Sequence, residues 1–467
     1  MRMTSIKKNF LYNAFYQVLT LILPLITTPY ISRVMGAERV GVYSYAYSIA
    51  YYFGMFILLG TNNYGNRTIA SVRDDKKILS KTFWSIYAMQ LFLGLFVSTV
   101  YLMYVFVIAE EQMMALLQII YLISVALDIS WFFFGIEQFK LTVTRNTIIK
   151  ILTVVAMLLF VKSIDDLYIY ALIMVGSSLI SQIFLWIFLK DYVIFQKITL
   201  CDIKKHIIPN LILFIPVIAI SLYALMGKII LGNMSSMIEV GYFESANKLT
   251  VIPTMAVTAL GTVMLPRISN MVSHGQHEET QKYLEKSLII SVFLSSSMAL
   301  GISAVSKEFV PLFYGEGFDK CKILIPILVL SSIFVSWANV IRTQYLIPYK
   351  KDKIYIQSVF LGAIINIILN ILLIPTLQSI GAAIASLSAE IIVSVFQTFK
   401  VRKELHIRSY LKKSIPFLIT GFIMYAIVIQ VPFINNAIVT IIIKVLIGGV
   451  IYISLSYILL RIEKIIL

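Results

Sequence analysis

The sequence is poor in charged residues and in the side chains on which metal binding depends. Charged residues make up only 13% of the 467 positions, whereas a soluble domain carries about 25%. Two cysteines, Cys201 and Cys321, stand far apart without a CxxC pair, which excludes a disulfide framework and a cysteine-based zinc site. His274 and His277 are three residues apart, but no acidic or thiol cluster accompanies them. The sequence therefore predicts no metal site and no cofactor.

Signatures of enzymes are also missing. The sequence contains no GxSxG, HExxH or Walker-type motif, the patterns expected of common hydrolases, metalloproteases and nucleotide-binding enzymes. Two adjacent pairs of acids, at 74–75 and 165–166, fall in predicted loops and are most simply solvated. We therefore predict a protein that is not an enzyme and has no catalytic residues.

Apolar residues dominate the chain. They make up 59% of it, with a mean hydropathy of +0.90, and a helix needs about 20 such residues to cross a bilayer. Fourteen segments satisfy this requirement, near 9–32, 40–62, 83–108, 113–136, 144–162, 167–189, 207–231, 239–265, 287–306, 323–347, 354–375, 378–399, 414–433 and 437–460. The predicted fold class is an all-α polytopic membrane protein with fourteen transmembrane helices.

The formal net charge is +16, but the positions of the basic residues argue against nucleic-acid binding. With fourteen spans, 29 of the 39 lysines and arginines fall on the side that holds both termini, and three lie within spans. The remaining seven, on the opposite side, are Arg33, Arg39, Lys162, Lys228, Lys307, Lys320 and Lys322. Such an excess marks the cytoplasmic side, so we predict cytoplasmic termini, a retained first span and no nucleic-acid partner.

Two stretches of the chain, 37–71 and 237–271, carry the same motifs in the same order. The matching positions include Gly41 and Gly241, Gly60 and Gly261, and Arg67 and Arg267. A later match pairs Trp131 and Gln138 with Trp337 and Gln344. Because each copy holds an even number of spans, both copies have the same orientation, which makes this a parallel repeat.

The repeat predicts two six-helix lobes with a cleft between them, where such transporters hold their site. The predicted boundaries are an N-lobe at 1–190, a cytoplasmic linker at 191–206, a C-lobe at 207–400 and a terminal helix pair at 401–467.

Ionisable residues inside predicted spans are functional candidates, because each costs at least about 2.5–3.5 kcal/mol to insert. They are Asp128, Lys150, Glu244, Lys248, Glu390 and Lys444. Glu244 and Lys248 are four residues apart on one helical face. They form either a structural ion pair or a cleft-lining cation beside a carboxylate that can titrate.

The other candidates also have two interpretations each. Lys150, near Arg145, either extends to the membrane surface or belongs to a basic rim for an anionic head group. Asp128 and Glu390, as isolated carboxylates in lipid, are expected to be neutral and to serve proton or sodium coupling or an interhelical hydrogen bond. Lys444 is most simply a structural lysine or one that extends to the membrane surface. Pro24 and Pro253 remove backbone hydrogen bonds and so favour kinks suited to gates.

Two motifs carry a resemblance to a known family. The first is LPLITTPYISRVMG at 23–36 followed by GVY at 41–43, and the second is DISWFFFGIEQF at 128–139 followed by Arg145 and Lys150. The first resembles the opening of the Wzx-type O-antigen and polysaccharide flippases, and the second resembles the fourth and fifth spans of the same flippases. These belong to the multidrug/oligosaccharidyl-lipid/polysaccharide exporter superfamily, which also includes the multidrug and toxin extrusion antiporters.

This resemblance implies two six-helix lobes around a central cavity, plus the terminal pair. It implies a substrate of undecaprenyl diphosphate bearing an oligosaccharide repeat unit, moved from the cytoplasmic to the periplasmic leaflet of a bacterial inner membrane by a monomeric transporter. A polysaccharide polymerase and a chain-length regulator are the expected partners. A small-molecule or multidrug cation antiporter is the alternative, and a membrane-embedded glycan polymerase or ligase is disfavoured by the short outer loops.

With this resemblance, further residues join the candidates. The expected head-group residues are Lys248, Lys150, Arg145, Arg67, Arg267 and Arg33, and the expected ion-coupling or pairing residues are Glu244, Asp128, Glu390 and Glu137.

Topology gives the first testable prediction. In a variant free of its two native cysteines, Lys351→Cys and Lys403→Cys should react with a membrane-impermeant thiol reagent only after the cell is permeabilised, because both positions lie in predicted cytoplasmic loops. Labelling of either one in intact spheroplasts would contradict the fourteen-span topology.

Overall fold

The computed structural model describes residues 6–462, with side chains at all of these except 6–18, 21, 223–224 and 460–462. The two chain ends that we predict to be cytoplasmic, 1–5 and 463–467, lie outside the described residues. Every regular element in the described range is helical.

Sixteen α-helices follow one another along the described chain. They are α1 (Ile6–Leu58), α2 (Thr61–Val72), α3 (Lys76–Val107), α4 (Gln112–Ala126), α5 (Ser130–Gly135), α6 (Phe139–Phe160), α7 (Leu167–Leu189), α8 (Leu200–Met234), α9 (Met237–Lys248), α10 (Val251–Ser273), α11 (His277–Tyr314), α12 (Cys321–Ile341), α13 (Asp352–Leu377), α14 (Ser379–Val401), α15 (Ile407–Val428) and α16 (Ala437–Ile462). A 3₁₀ turn (Ile164–Asp166) precedes α7, and a π-helical turn (Arg342–Leu346) continues α12.

Within the described residues, thirteen helical stretches are long and apolar enough to cross a membrane. The first, Ile22–Val72, holds two of the predicted spans, because α1 is interrupted at Gly36. Gly36 has φ 69° and ψ 174°, a conformation that is almost exclusive to glycine. Counting the two parts separately gives the fourteen predicted segments, and the chain is a multi-pass membrane protein.

The segment 239–265, predicted as one continuous helix, is divided in the structure. The chain turns at Leu249 and Thr250, where backbone N–H groups donate to carbonyls three residues earlier, so that α9 ends at Lys248 and α10 begins at Val251. Pro253 has no N–H to donate to the Leu249 carbonyl, and this explains the tighter turn. The α1 helix, in contrast, keeps helical dihedral angles through Pro24.

The chain divides into two compact units, Met1–Ser221 and Leu222–Leu467. In the first, α1 packs against α3, α4 and α6, and α4 packs against α7. The short helix α5 brings Trp131 against Gly65 of α2, where a Cβ atom would lie 2.5 Å from the indole ring. Trp131 is fully buried and stacks on Phe83 with a ring-centroid distance of 5.6 Å. The aromatic residues at 131–133 therefore belong to a buried core.

The second unit is built around α11 and α12, which pack along each other. Helix α14 packs on α12 and α13, and the terminal helices α15 and α16 pack on α11. Small residues permit this close packing, since Gly362 of α13 faces Val393 of α14 and Gly421 of α15 faces Leu300 of α11. The helices of this unit carry most of the buried ion pairs described below.

The break in α1 gives a prediction about stability. Gly36→Ala should destabilise the protein by about 1–3 kcal/mol, because alanine rarely adopts the Gly36 backbone conformation. No atom lies within 4 Å of the added Cβ, so backbone strain is the only cost. Thermal unfolding of the purified protein in detergent measures the effect.

Gly301→Ala is the matched control, because Gly301 lies inside α11 and also has open space around it. Alanine should be neutral or slightly stabilising there. Equal melting temperatures for the Gly36→Ala and Gly301→Ala variants would contradict the assignment of strain to Gly36.

Candidate functional site

The carboxylate of Glu244 lies between two lysines in the second unit. Its Oε2 is 2.6 Å from Lys228 Nζ, and its Oε1 is 3.9 Å from Lys248 Nζ. The Lys228 side chain is 9% exposed and that of Lys248 is 38% exposed. Of these two lysines, Lys228 is therefore the stronger partner of Glu244, and Lys248 interacts more weakly with the same carboxylate.

This arrangement corrects the interpretation of Lys228. The sequence places Lys228 with the outer residues and leaves it out of the deep ionisable groups, but it lies inside α8 and is buried. The helices α8 and α9 follow each other closely, which brings the two side chains together. The position of Lys228 within the apolar segment 207–231 was the signal that could have identified it.

Two lysines and one carboxylate leave an excess of one positive charge in this cluster. A short, buried contact between opposite charges is strong because little water screens it. Glu244 is thereby largely neutralised by Lys228. The Lys248 ammonium, at the end of α9, is the more exposed of the two cations and has the longer contact with Glu244.

A second cluster lies at the start of α9. The Glu239 carboxylate is 2.7 Å from Lys320 Nζ and accepts hydrogen bonds from the backbone N–H and the hydroxyl of Ser379, the first residue of α14. Lys320 also donates to the Gln378 side chain, at 2.7 Å. A carboxylate at a helix N-terminus is stabilised by the exposed N–H groups. Sequence reasoning missed this cluster, whose members are distant in sequence.

Glu390, predicted as an isolated carboxylate, shares a small cavity with a cation. The cavity has a volume of about 60 Å³ and is lined by Arg342, Tyr355 and Gln397 as well as Glu390. Arg342 belongs to the π-helical turn after α12, and its Nη1 donates to Tyr355 Oη at 3.2 Å. Glu390 therefore has a positive charge nearby, contrary to its prediction as isolated.

In the first unit, Arg145 is buried and joins three helices. Its guanidinium donates to Asn146 Oδ1 at 2.6 Å, to the Ser181 carbonyl of α7 at 3.3 Å and to Ser130 Oγ of α5 at 3.5 Å. Lys150 lies five residues further along α6, on a different part of the helix surface. Arg145 therefore links α5, α6 and α7 through its guanidinium.

The remaining acidic candidates of the first unit make local contacts. Asp128 Oδ1 accepts the backbone N–H of Ser130 at 2.8 Å, which caps the start of α5. Glu137 has a positive φ of 59° and forms a 2.7 Å ion pair with Arg73. Both partners of that pair are well exposed, so the pair contributes little to stability.

Three further arginines are predicted for the head group, two in the first unit and one in the second. Arg33 and Arg67 are exposed positions of the first unit, in α1 and α2. Arg267 in α10 is exposed and stacks over the Tyr283 ring, with its Cζ 4.3 Å from the ring centroid. Among the predicted residues, the structure brings Glu244 and Lys248 into direct side-chain contact.

Comparison with known proteins gives consistent matches. Residues 6–272 match a family model described as "Polysaccharide biosynthesis protein". A relative from Escherichia coli K12, named "Putative O-antigen transporter", is 24% identical over 85% of this chain and 97% of its own length. The "Lipid II flippase MurJ" of Bacillus subtilis is 25% identical over 47% of this chain and 43% of its own length.

Solved structures show the same fold. A structure of the lipid II flippase MurJ in an inward closed conformation matches with a TM-score of 0.79 and 16% identity, covering 97% of this chain and all of that one. An inward-facing multidrug transporter of the MATE family matches with a TM-score of 0.59 and 13% identity, covering 84% of this chain and 99% of that one. At these identities the likeness concerns the fold alone.

The two lysines beside Glu244 predict different effects on stability. Lys228→Met should destabilise the protein by roughly 3 kcal/mol, because it removes the buried ammonium 2.6 Å from the Glu244 carboxylate, whereas Lys248 lies 3.9 Å away. Lys248→Met should change stability by less than about 1 kcal/mol, since its contact is long and partly exposed. Thermal unfolding in detergent compares the two variants.

The double variant Lys228→Met/Glu244→Gln tests the pair directly. Removing both charges should restore much of the stability lost by Lys228→Met, because a buried pair can often be replaced without net cost. A larger loss for Lys248→Met than for Lys228→Met, or no recovery in the double variant, would contradict this assignment.

Proposed function

The chain belongs to the family of polysaccharide biosynthesis proteins, and from that membership we propose that it is a flippase for lipid-linked oligosaccharides. The proposed substrate is an oligosaccharide repeat unit on undecaprenyl diphosphate, moved from the cytoplasmic to the periplasmic leaflet of the inner membrane. The names of the Escherichia coli and Bacillus subtilis relatives, an O-antigen transporter and a lipid II flippase, support a lipid-linked glycan as cargo.

The chemistry of such a substrate determines which groups the protein must provide inside the membrane. A diphosphate with a glycan cannot cross about 30 Å of hydrocarbon unaided, whereas its polyprenyl tail can remain in lipid. The protein must therefore offer a positive charge to the diphosphate where water is scarce. Charge-assisted hydrogen bonds are stronger than neutral ones, and more so at low dielectric constant.

The observation that carries the proposal is the division of roles between Lys228 and Lys248. If Lys248 were the sole partner of Glu244, an anion could reach it only by breaking that pair. Lys228 already pairs with Glu244 at 2.6 Å, so Lys248 can bind a diphosphate while the Glu244 carboxylate keeps an opposite charge beside it. Its side chain is also the more exposed of the two lysines.

Alternating access in this proposal uses the two repeats as moving parts. The N-lobe (1–190) and the C-lobe (207–400) would expose the substrate first to one leaflet and then to the other. The Gly36 break in α1 and the turn at Leu249 and Thr250 are points where helix direction can change at low cost. Lys248 stands directly before the second of these points.

Substitution of Lys248 tests the function. Lys248→Ala and Lys248→Glu should reduce export of surface glycan by tenfold or more, since a charge-assisted hydrogen bond contributes about 1.5–3 kcal/mol. Lys248→Arg should keep part of the activity, because the charge survives although its geometry differs. Surface glycan is measured in a deletion strain complemented with each variant at matched membrane levels.

Lys307→Ala is the control for loss of an exposed lysine from the same unit. In the deletion strain, lipid-linked repeat units should accumulate in the cytoplasmic leaflet while drug sensitivity stays unchanged. Normal glycan export by Lys248→Ala would refute the role of Lys248, and a change in drug sensitivity without loss of surface glycan would refute the flippase itself.

A further inference from the structure

A large groove in the second unit lies at the start of α15, and its lining does not include the lysine cluster around Glu244. It has a volume of about 940 Å³ and is bounded by α11, α12, α14, α15 and the loop between the last two. Its walls are apolar, with Ile333, Phe334, Val395, Leu411 and Ile415 among the lining residues. A groove of this size and character accepts hydrocarbon chains.

The rim of the groove is positively charged. Arg402, Lys403, His406 and Arg408 all line it and are exposed. Within the described part of the chain, none of these four forms an ion pair, although Arg402 stacks over the Phe399 ring with its Cζ 3.6 Å from the ring centroid. Three permanent cations therefore stand at one end of an apolar groove.

Two lysines near the groove, in contrast, form ion pairs with carboxylates. Lys413 forms a 2.8 Å ion pair with Glu285, and Lys351 binds Glu404, the acidic residue of the loop itself. Hydrogen bonds from Lys351 and Tyr345 lower the pKa of Glu404. Glu404 is thus engaged by Lys351, and Glu285 also accepts a 3.2 Å hydrogen bond from Ser409 Oγ at the groove. Within the described residues, neither carboxylate forms an ion pair with a cation of the rim.

Helix α15 adds two further features. It begins at Ile407 without a side-chain cap, so the N–H groups of Arg408 and Ser409, in its first turn, are available to an anion. Deeper along the helix, Ser414 lines the groove, is 2% exposed, and has a hydroxyl without a hydrogen-bond partner. Ser414 lies five residues past Ser409, about 8 Å along the helix axis.

We propose that this groove binds an anionic glycerophospholipid, with the phosphate at the rim and the acyl chains along the apolar walls. The phosphate would lie against Arg402, Lys403 and the first turn of α15, where basic pockets between transmembrane helices take such head groups. The Ser414 hydroxyl would donate to an ester carbonyl. A polyprenyl diphosphate has only hydrocarbon at that depth, which favours a phospholipid as the occupant.

Trp337 provides a probe, because it lines the groove and its ring is held by a 2.8 Å hydrogen bond from Nε1 to Thr398. The protein is reconstituted in vesicles that contain phosphatidylglycerol or phosphatidylcholine with brominated acyl chains. Brominated phosphatidylglycerol should quench tryptophan fluorescence more strongly, with a preference of about fivefold or more in relative binding constant. The preference should vanish in Trp337→Phe, which removes the reporter.

The triple variant Arg402→Gln/Lys403→Gln/Arg408→Gln should lose most of this preference. Lys412→Gln is the matched control, because Lys412 is exposed on the same helix and does not line the groove. Equal quenching by both lipids in the unmodified protein would overturn the proposal. Displacement of brominated phosphatidylglycerol by a small mole fraction of undecaprenyl diphosphate would also overturn it, by assigning the groove to the transport substrate.

Ser414→Val tests the ester contact while leaving every charge in place. The unmodified protein should prefer diester phosphatidylglycerol over its diether analogue, which lacks the carbonyl groups, and Ser414→Val should bind both alike. An equal response of the unmodified protein to the two lipids would refute the contact at Ser414. Neither lipid-binding measurement depends on glycan export. A negative result in either one would therefore refute lipid binding in this groove without bearing on the proposed flippase activity.

Discussion

A charge inside a bundle of apolar helices must meet an opposite charge, and this requirement positions the helices of the second unit. Lys228 and Glu244 join α8 to α9, Lys320 and Glu239 join the start of α12 to α9, and Lys444 and Glu308 join α16 to α11. Each contact is 2.6–2.7 Å long. Breaking such a pair costs several kcal/mol, although its net contribution to folding is small. These pairs therefore fix which helices are neighbours more than they raise total stability.

The same requirement explains where function can reside. A lysine that is fully occupied by a carboxylate has little left for a ligand, whereas a third charge beside a satisfied pair remains available. Lys248 is such a third charge beside the pair of Lys228 and Glu244. The cations at the rim of the α15 groove are available for a different reason, because the nearby carboxylate of Glu404 is paired with Lys351. In both places the arrangement of acids, rather than the number of bases, determines what an anion can reach.

The helices could be predicted from the sequence, but the ion-pair partners of the charged residues could not. Apolar runs of about 20 residues indicate membrane helices, and the number of long apolar helices agrees with the fourteen predicted segments once Gly36 is recognised as a break. The division of 239–265 into two helices was not predicted. The spacing of Glu244 and Lys248 predicted their contact, yet the nearer partner, Lys228, belongs to another helix. Arg342 approaches Glu390 through a π-helical turn. Such pairings depend on how helices pack against one another, and a local sequence pattern carries no information about that packing.

The pair between Lys444 and Glu308 has a consequence for biosynthesis. The two residues are separated by 136 positions, and at about 5–20 residues per second a ribosome needs on the order of ten seconds to cover that distance. During this interval α11 enters the membrane with a carboxylate whose lysine has not yet been made. The insertion machinery or surrounding water must accommodate Glu308 until α16 arrives, so charge balance in this unit is completed only by the last described helix.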